Sequence, residues 1–364
     1  MQTHSSNDCT ITLKINLKAE LPDNEHLFIT GNLPDLGDWD PAGKILQESS
    51  PDHYSVKFNT PKDSIVECKV TRGSWRTQGI YNLADIPPNN LIIKANKNKE
   101  VKVEILDWLD KQVLESDPVK GRLLEYDEFS CKGLKYKRPI QVWLPDSYTE
   151  KGSPAAVIYM HDGQNLFEPA SSFAGADWKV DETITKMLKQ GELRQCIVVG
   201  IPNSPDRMQE LNLFTKEGKA YANFVVNEVK PFIEKKFNVS KLACDNAIMG
   251  SSMGGLMSFQ MVCAFSDIFG MAGCLSSAFQ KTYSQIFSQT TKIALPLQAK
   301  IYLDTGEYEP SIADSYFTMM KLLLKRGFIE GQNLMGYFDE KATHCEAAWA
   351  NRLSIPLRFM LGKN

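Results

Sequence analysis

The chain has 364 residues, with 41 Lys and Arg against 44 Asp and Glu, which gives a formal net charge of −3. Hydrophobic residues make up 43% of the chain and charged residues 23%, a composition that is typical of globular proteins and excludes wholesale disorder. The length predicts two domains, and no apolar run approaches the ~18 residues needed to cross a bilayer. Because the charge balance gives no support for a polyanion-binding surface, we expect neither a nucleic-acid nor a membrane partner.

The N-terminal stretch MQTHSSNDCT lacks the basic and apolar segments of a secretory signal peptide. The eight cysteines include no C-x-x-C pair, and several lie in apolar runs, where free thiols are commonly buried. This pattern favours reduced core thiols over a disulfide framework or zinc ligands, so no metal site is predicted. We expect a cytoplasmic protein, or a periplasmic or secreted one if a signal peptide has been removed.

Short strands with regular turns characterise the first part of the chain. Apolar side chains occupy every second position from residue 10 to 18, as in a half-buried strand. Further strands are predicted at residues 26–30, 53–58, 64–71, 91–95 and 100–106. Because clusters of Pro, Asp and Asn separate them, the pattern indicates an antiparallel β-sandwich over residues 1–107, followed by a linker over residues 108–122.

Strands alternate with helices in the second domain, residues 123–364. Strands are predicted at residues 139–145, 155–162, 196–202, 246–250, 271–277 and 299–304, and the apolar runs at 155–162 and 196–202 indicate burial on both faces. Helices are predicted at residues 177–191, 219–236 and 255–265, with a kink at Pro231 in the second of them. This alternation predicts a parallel α/β sheet.

The segment Gly250-Ser-Ser-Met-Gly254 contains the pattern G-x-S-x-G with Ser252 at its centre. A buried strand precedes it and a helical stretch follows it, which is the context of a nucleophile elbow. The tight turn requires small neighbours, which Gly250 and Gly254 provide. The sequence therefore predicts that Ser252 is a nucleophile presented at the start of a helix.

A serine nucleophile needs a general base, usually a histidine. His344 is the only one of five histidines that follows Ser252, and in α/β-hydrolases the triad runs in the order Ser, acid, His. His344 is therefore the predicted base. The acid is expected after the preceding strand, where Asp304, Glu307 and Glu309 compete, and spacing alone does not choose among them.

Two backbone amides are predicted to form an oxyanion hole. One belongs to Met253, directly after the nucleophile, and the other to Gln164 in the loop YMHDGQNLF after an early strand. For His161 and Asp162, in the same loop, we favour a bracing role over an acid–base dyad.

The second domain resembles the esterase D-like “putative esterase” branch of the α/β-hydrolases, which includes enterobactin esterases, feruloyl and acetyl xylan esterases, and mycolyltransferases. The resemblance spans roughly residues 125–362 and rests on HDGQNLF, ADWKVDET, VVGIPNSPDRMQE, GSSMGG, LDTGEYE and THCEAAWANRL. The family's acid tends to lie three residues past the Gly that follows the strand, which implies Glu309, with Glu307 second and Asp304 third. The resemblance also implies acyl-ester hydrolysis through an acyl-serine, without a cofactor.

The first domain resembles a starch-binding, family 20 type carbohydrate-binding module in the segments HLFITGNLPDLGDWDPAGKILQ and IVECKVTRGSW. The resemblance implies that Trp39 stacks on sugar rings and that Lys69, in the following strand, supports it. The family's second stacking Trp has no counterpart in TQGIYNLADIPPNN, so Trp75, a few residues earlier, is either its substitute or a core residue. Polysaccharide binding, a scaffold and a substrate lid remain alternative roles for this domain.

These observations favour a serine-dependent carboxylic ester hydrolase that acts on a small-molecule or glycan ester. One alternative is hydrolysis of an anionic ferric-siderophore trilactone, although Arg207 and Arg352 are scattered and form no cluster beside the motifs. Two further alternatives are a non-catalytic glycan-binding protein and acyl transfer to an alcohol.

Overall fold

The computed structural model of the protein describes residues 8–112, 117–129, 131–280 and 285–363, apart from the side chain of Glu128. The chain separates into two compact units. The first comprises Met1–Glu115 together with Phe173–Ala176, and the second comprises Ser116–Ser172 together with Asp177–Asn364.

The first unit is built from short strands. These are β1 (Asp8–Leu17), β2 (Phe28–Gly31), β3 (Lys44–Ile45), β4 (Gln47–Ser50), β5 (His53–Pro61), β6 (Ser64–Thr71), β7 (Gly79–Ile80), β8 (Leu91–Ala95), β9 (Lys99–Ile105) and β10 (Asp107–Trp108). Two four-stranded sheets have the orders β4-β5-β1-β9 and β3-β2-β6-β8, and β7 pairs with β10. Single 3₁₀ turns lie at Pro34–Leu36, Trp75–Thr77 and Leu109–Lys111.

Alternation along the strands places the core of the first unit between its two sheets. In β1, Ile11, Leu13 and Ile15 are buried, while Lys14, between Leu13 and Ile15, is exposed. Val66 and Val70 of the other sheet contribute to the same apolar cluster. The predicted sandwich is therefore present, with one difference: β1 pairs in parallel with β9, whereas the other strand pairs of this unit are antiparallel in the described residues.

The end of the first unit differs from the boundary that the sequence suggested. Trp108 is fully buried in the first unit's core, and its indole N–H donates to the carbonyl of Glu20 at 3.0 Å. The first residues of the proposed linker thus belong to the sandwich, because an indole of this size cannot be left in solvent without losing a large apolar contact. Residues 113–116 of that linker lie outside the described residues.

The second unit alternates strands and helices. Its strands are β11 (Arg122–Phe129), β12 (Arg138–Leu144), β13 (Ala156–His161), β14 (Cys196–Ile201), β15 (Asn246–Ser251), β16 (Met271–Leu275), β17 (Lys300–Gly306) and β18 (Leu334–Asp339). Its helices are α1 (Val180–Lys189), α2 (Arg207–Glu210), α3 (Lys216–Phe224), α4 (Lys230–Lys236), α5 (Met253–Ala264), α6 (Ile286–Thr290), α7 (Pro310–Lys325), α8 (Glu346–Arg352) and α9 (Ser354–Leu361).

One eight-stranded sheet runs through the second unit in the order β11-β12-β14-β13-β15-β16-β17-β18. The strands from β14 to β18 in this order are parallel, and β11 and β12 add an antiparallel margin. Both faces are covered: Val157 and Tyr159 of β13 enter one apolar cluster, and Ile158 and Met160 enter the other. Burial on both faces explains the uninterrupted apolar run of this strand.

The helix predicted over residues 219–236 is divided. A π-helical turn at Val225–Val229 lies between α3 and α4, and Pro231 is the second residue of α4. Proline has no amide hydrogen, so it cannot donate within the helix and sits most easily in the first turn of a new segment. The interruption that Pro231 suggested is therefore present on its N-terminal side.

Six of the eight cysteines are buried, whereas Cys244 is exposed and Cys263 is partly buried. Within the described ranges, none of the helices combines the length and the apolar character that a membrane span requires.

Candidate active site

Ser252 is the single residue that connects β15 to α5. Its backbone adopts φ 54° and ψ −118°, a combination that few L-residues adopt. The N–H of Ser252 donates to the carbonyl of Leu275 at 2.9 Å, and the N–H of Ala278 donates to the carbonyl of Ser252 at 2.9 Å. The end of the neighbouring strand and the loop after it therefore hold the turn in its strained form, as in a nucleophile elbow.

Two glycines allow backbone segments to meet at this site. A Cβ on Gly250 would lie 2.9 Å from the carbonyl carbon of Gly254, and a Cβ on Gly163 would lie 2.7 Å from that of Gly200. Contacts this short could be relieved only by moving the main chain, so both positions require glycine. The close approach that the G-x-S-x-G pattern predicted at Gly250 is present.

His344 and Glu309 are directly hydrogen-bonded. The distance from His344 Nδ1 to Glu309 Oε1 is 2.6 Å. His344 lies in the loop between β18 and α8 and exposes 23% of its side chain, whereas the Glu309 side chain is fully buried at the start of α7. The pair thus combines a buried carboxylate with an imidazole that solvent and substrate can reach.

Several donors converge on the second carboxylate oxygen of Glu309. Ser276 Oγ donates to Glu309 Oε2 at 2.8 Å, and the backbone N–H of Gly306 donates to the same oxygen. Burial by itself raises the pKa of Glu309, but the hydrogen bond and charge of His344, the charge of Arg352 and the Gly306 amide outweigh it. The pKa of Glu309 is therefore lower than its ordinary value, which keeps the carboxylate ionised beside the imidazole.

The other two candidate acids occupy different environments. Asp304 is buried and accepts from Arg352 Nε at 2.9 Å and from Tyr302 Oη at 3.0 Å, so it holds an arginine. Glu307 is exposed and accepts from the backbone N–H of Lys341 at 2.9 Å. Of the three carboxylates, the structure brings Glu309 to His344.

The structure records no hydrogen bond between Ser252 Oγ and His344, both of which are described residues. Contacts between nucleophile and base are commonly long before substrate binds and tighten in the reacting complex. The backbone of Ser252 is nevertheless tied to Leu275, and Ser276, the next residue, is bonded to Glu309. One short loop therefore connects the nucleophile turn to the acid.

The amide groups of Met253 and Gln164 lie just past the ends of two neighbouring strands. Met253 is the first residue of α5, and the first amides of a helix have no acceptor within it. Gln164 lies in a 3₁₀ turn, Gly163–Asn165, at the end of β13. Because β13 and β15 are adjacent and parallel, both amides lie at the carboxyl edge of the sheet, as a two-amide oxyanion hole requires.

Two polar contacts brace the loop that carries Gln164. Arg207 Nε and Nη2 each lie 2.7 Å from an oxygen of Asp162, in a bidentate pair. His161 Nδ1 lies 2.7 Å from the hydroxyl of Tyr221, and burial lowers the pKa of His161 to about 4. A buried, neutral imidazole tied to a tyrosine fits a bracing role, and Asp162 is engaged by its arginine.

A second group of carboxylates lies at the start of α1. Oxygens of Asp177, Asp181 and Glu182 lie within 4.8 Å of one another. Burial, opposed by the amide of Lys120 and reinforced by Glu182, raises the pKa of Asp181 to about 7. A protonated Asp181 relieves the repulsion within this group.

In the first unit, Trp39 and Trp75 are partly exposed neighbours, with ring centroids 6.4 Å apart and an interplanar angle of 37°. Lys69 is buried, and its ammonium donates to Gln78 Oε1 at 2.6 Å and to the carbonyl of Pro88. Gln78 in turn donates to the carbonyl of Trp75 at 2.6 Å. Lys69 therefore supports the turn that carries Trp75, a contact that the sequence did not suggest.

The sequence did not assign to the site three residues that are bonded in the network around Glu309: Ser276, Trp349 and Arg352. The indole N–H of Trp349 donates to Ser276 Oγ at 3.0 Å, and Arg352 Nη2 donates to the same oxygen at 2.7 Å. Ser276 directly follows a buried strand at the carboxyl edge of the sheet, which is the one signal that could have marked it.

Comparison with known proteins gives the same fold. Residues 131–359 match the family described as “Putative esterase”. “Uncharacterized protein YbbA” of Bacillus subtilis (strain 168) is 22% identical over 249 residues, which cover 62% of this chain and 94% of that protein. An α-amylase of Niallia circulans is 30% identical over 103 residues, which cover 28% of this chain and 8% of the amylase.

Among solved structures, the enterobactin esterase FES of Shigella flexneri has a TM-score of 0.53 at 12% identity and covers 99% of this chain and 95% of that chain. The second unit therefore has the α/β-hydrolase fold. Because the family match extends over more than half of the chain, the protein belongs to the “Putative esterase” family and is a hydrolase.

Proposed function

We propose that the protein hydrolyses a carboxylic ester through an acyl-serine intermediate, with Ser252, His344 and Glu309 as its catalytic triad. The observation that carries the proposal is the 2.6 Å contact between His344 Nδ1 and the buried Glu309 carboxylate. An ionised carboxylate can only accept, so the proton of the imidazole resides on Nδ1. His344 Nε2 then keeps its lone pair and can act as the base.

In the first half-reaction, Ser252 Oγ bonds to the carbonyl carbon of the ester while its proton passes to His344 Nε2. The oxyanion that forms accepts from the amides of Met253 and Gln164, and each such donor lowers the barrier by about 3 kcal/mol. The intermediate collapses as the alcohol leaves with the proton from Nε2. Water then repeats the sequence on the acyl-serine and releases the acid.

The charges around the site support an ester without strong negative charge. Arg207 and Arg352, the arginines that connect to site residues, are each bound to a carboxylate, Asp162 and Asp304 respectively. A multiply anionic ferric-siderophore trilactone would have to draw these cations out of their pairs. We therefore favour an uncharged acyl or carbohydrate ester, and keep the trilactone as a substrate to be tested.

Polysaccharide binding by the first unit is a separate proposal. Trp39 and Trp75 present two indole rings at 6.4 Å between centroids, and apolar ring faces of this kind stack on pyranose rings. The partial match to an α-amylase also supports it. In this proposal the first unit holds a glycan while the second unit hydrolyses an ester.

The test is hydrolysis of p-nitrophenyl acetate by wild type, Ser252→Ala and Ser147→Ala. We expect Ser252→Ala to lose at least ~10⁴-fold in kcat while keeping its fold. Ser147 is exposed and bonded only to Gln195 in the described residues, so Ser147→Ala serves as the matched control and should retain full activity. Turnover that persists in Ser252→Ala would contradict the proposal.

The substrate class is determined by assaying wild type, Ser252→Ala and Ser147→Ala on acetylated sugars, feruloylated sugars and a trilactone. Release of acid indicates hydrolysis, whereas a new ester formed with an added alcohol indicates acyl transfer.

A further inference from the structure

We propose that Ser276 is a positioning residue that orients the Glu309 carboxylate and thereby fixes the tautomer of His344. This inference rests on the proposed triad. Ser276 directly follows β16, is fully buried and has φ 40°. A non-glycine residue at positive φ is kept where the surrounding contacts require it.

The direction of each hydrogen bond at Ser276 Oγ is determined by its partners. Arg352 Nη2 lies 2.7 Å from the oxygen and Trp349 Nε1 lies 3.0 Å from it, and both groups can only donate. A serine hydroxyl has two acceptor positions and one proton, so these contacts fill its acceptor positions. Its proton must therefore point to the remaining partner, Glu309 Oε2, at 2.8 Å.

This direction determines which oxygen of Glu309 serves His344. Oε2 accepts from the Ser276 hydroxyl and from the backbone N–H of Gly306. Oε1, held in place by that arrangement, faces His344 Nδ1 at 2.6 Å. An acceptor at this position favours the proton on Nδ1 and leaves the other ring nitrogen free to act as a base.

Asp304 holds both Arg352 and the backbone of Ser276 in place. Arg352 is held by Asp304, through Nε at 2.9 Å and Nη2 at 3.1 Å. The backbone N–H of Ser276 donates to Asp304 Oδ1 at 2.8 Å. Trp349 and Arg352 are three residues apart in α8, so they project from one face of the helix. Ser276 is therefore the point where β16, α8 and the acid are joined.

The key experiment removes this hydroxyl and measures a property that a structural role alone would not change. In Ser276→Ala, we expect kcat to fall on the order of 10- to 100-fold, the value of one charge-assisted hydrogen bond, with KM within about threefold of wild type. Ser277→Ala is the matched control, because Ser277 is also buried and its hydroxyl has no hydrogen-bond partner in the described residues. It should behave as wild type.

The pH dependence gives a second readout. Charged or titratable groups that face Glu309 are His344 before α8, Arg352 on α8 and Asp339 at the end of β18. A carboxylate that loses a donor accepts more strongly from the imidazole N–H, so the acid limb of kcat/KM, which reports protonation of the coupled His344–Glu309 pair, should move to higher pH in Ser276→Ala. It should stay in place in Ser277→Ala.

A third readout does not depend on turnover. The imidazole nitrogen chemical shifts of His344, measured in a Ser252→Ala background, report which ring nitrogen carries the proton. We expect a single Nδ1–H tautomer with Ser276 present and a tautomer mixture with Ser276→Ala. If the alanine variant does not fold, Ser276→Gly removes the same hydroxyl at a φ that glycine adopts without steric cost.

Outcomes for this proposal and for the triad are distinguishable. If Ser252→Ala is inactive but folded Ser276→Ala keeps the kcat, the acid limb and the tautomer of wild type, the positioning role is wrong. If Ser252→Ala keeps its turnover, the proposed triad itself is wrong.

Discussion

Glu309 Oε1 and His344 Nδ1 lie 2.6 Å apart although the two residues are 35 positions apart in the chain. Helix α7 and strand β18 intervene, so the contact exists only once β18 has paired with β17. The pairing brings the loop after β18 back to the start of α7.

Glu309→Gln should abolish most activity without disturbing the fold. Ser276 Oγ and the Gly306 N–H require an acceptor, so the new amide must turn its oxygen to them and its NH₂ group to His344. His344 Nδ1 would then accept, and the proton would move to the nitrogen needed as base. We expect kcat to fall about 10³- to 10⁴-fold. Glu307→Gln, at an exposed carboxylate, should stay within about twofold of wild type; equal losses in both variants would contradict this assignment.

Arg207→Met should reduce both stability and turnover. It leaves Asp162 buried without its bidentate partner, which costs about 3–5 kcal/mol of unfolding free energy. Urea unfolding followed by circular dichroism measures this loss, and the double variant Asp162→Asn/Arg207→Met should recover part of it. Arg358→Met, which breaks an exposed pair with Glu192, is the control and should cost less than about 1 kcal/mol. A control loss as large as that of Arg207→Met would refute the argument.

Gly250→Ala should destabilise the second unit by about 1–3 kcal/mol, because its Cβ would lie 2.9 Å from the backbone of Gly254. The strain falls on the turn that carries Ser252, so kcat should decrease with it. Gly152→Ala places its Cβ 3.0 Å from a side-chain methyl of exposed Thr149, not from main chain, and should cost less than Gly250→Ala. Thermal unfolding of the two variants decides the point, and a Gly250→Ala protein as stable and active as wild type would exclude a tight elbow.

Asp181 makes the stability of the second unit depend on pH. Its pKa is raised from 3.8 to about 7 in the folded state, so the folded state binds its proton more tightly than the unfolded state. The stabilisation is complete below about pH 4 and is lost as pH rises toward 7. In Asp181→Asn, the unfolding free energy should therefore decline less between about pH 4 and pH 7 than in wild type. Unfolding free energies measured at pH 5 and pH 8 provide the check, and an identical slope in the variant would be contrary evidence.

Removal of either Trp39 or Trp75 should weaken glycan binding. We expect Trp39→Ala and Trp75→Ala each to lower the affinity for soluble starch by about tenfold or more, because each loses one stacking ring. Ile45→Ala, at a side chain that is 51% exposed in the same unit, should leave affinity electrophoresis unchanged. If wild type migrates identically with and without starch, the glycan-binding role is excluded. Ester turnover should be unaffected in all three variants.

Strands with a clear pattern were predictable from the sequence. Residues 64–71 and 91–95 form strands with the predicted bounds, since alternation and turn residues define them locally. The parallel pairing of β1 with β9 was not predicted, because alternation does not encode which strands become neighbours. Strand β18 was also missed: it lies at the margin of the sheet and is only partly buried, so its apolar pattern is weak.

The residues of the candidate site likewise divide into those with a local sequence signal and those without one. Ser252 is marked by the G-x-S-x-G motif, and His344 is marked as the only histidine that follows Ser252 in the chain. The acid was left open by spacing, and a family resemblance favoured Glu309, which the structure brings to His344. Ser276 and Arg352 are 76 residues apart and meet only through the folded sheet and α8, so nothing in the sequence connects them.

The position of Trp349 gives the protein an optical probe of its own chemistry. The indole is bonded to Ser276, and its ring lies edge-on to His344 with centroids 5.0 Å apart. An excited indole transfers an electron readily to a protonated imidazole and poorly to a neutral one. Emission from Trp349 should therefore dim when a stable tetrahedral adduct on Ser252 keeps His344 protonated, so that fluorescence can follow the binding of inhibitors that carry no chromophore.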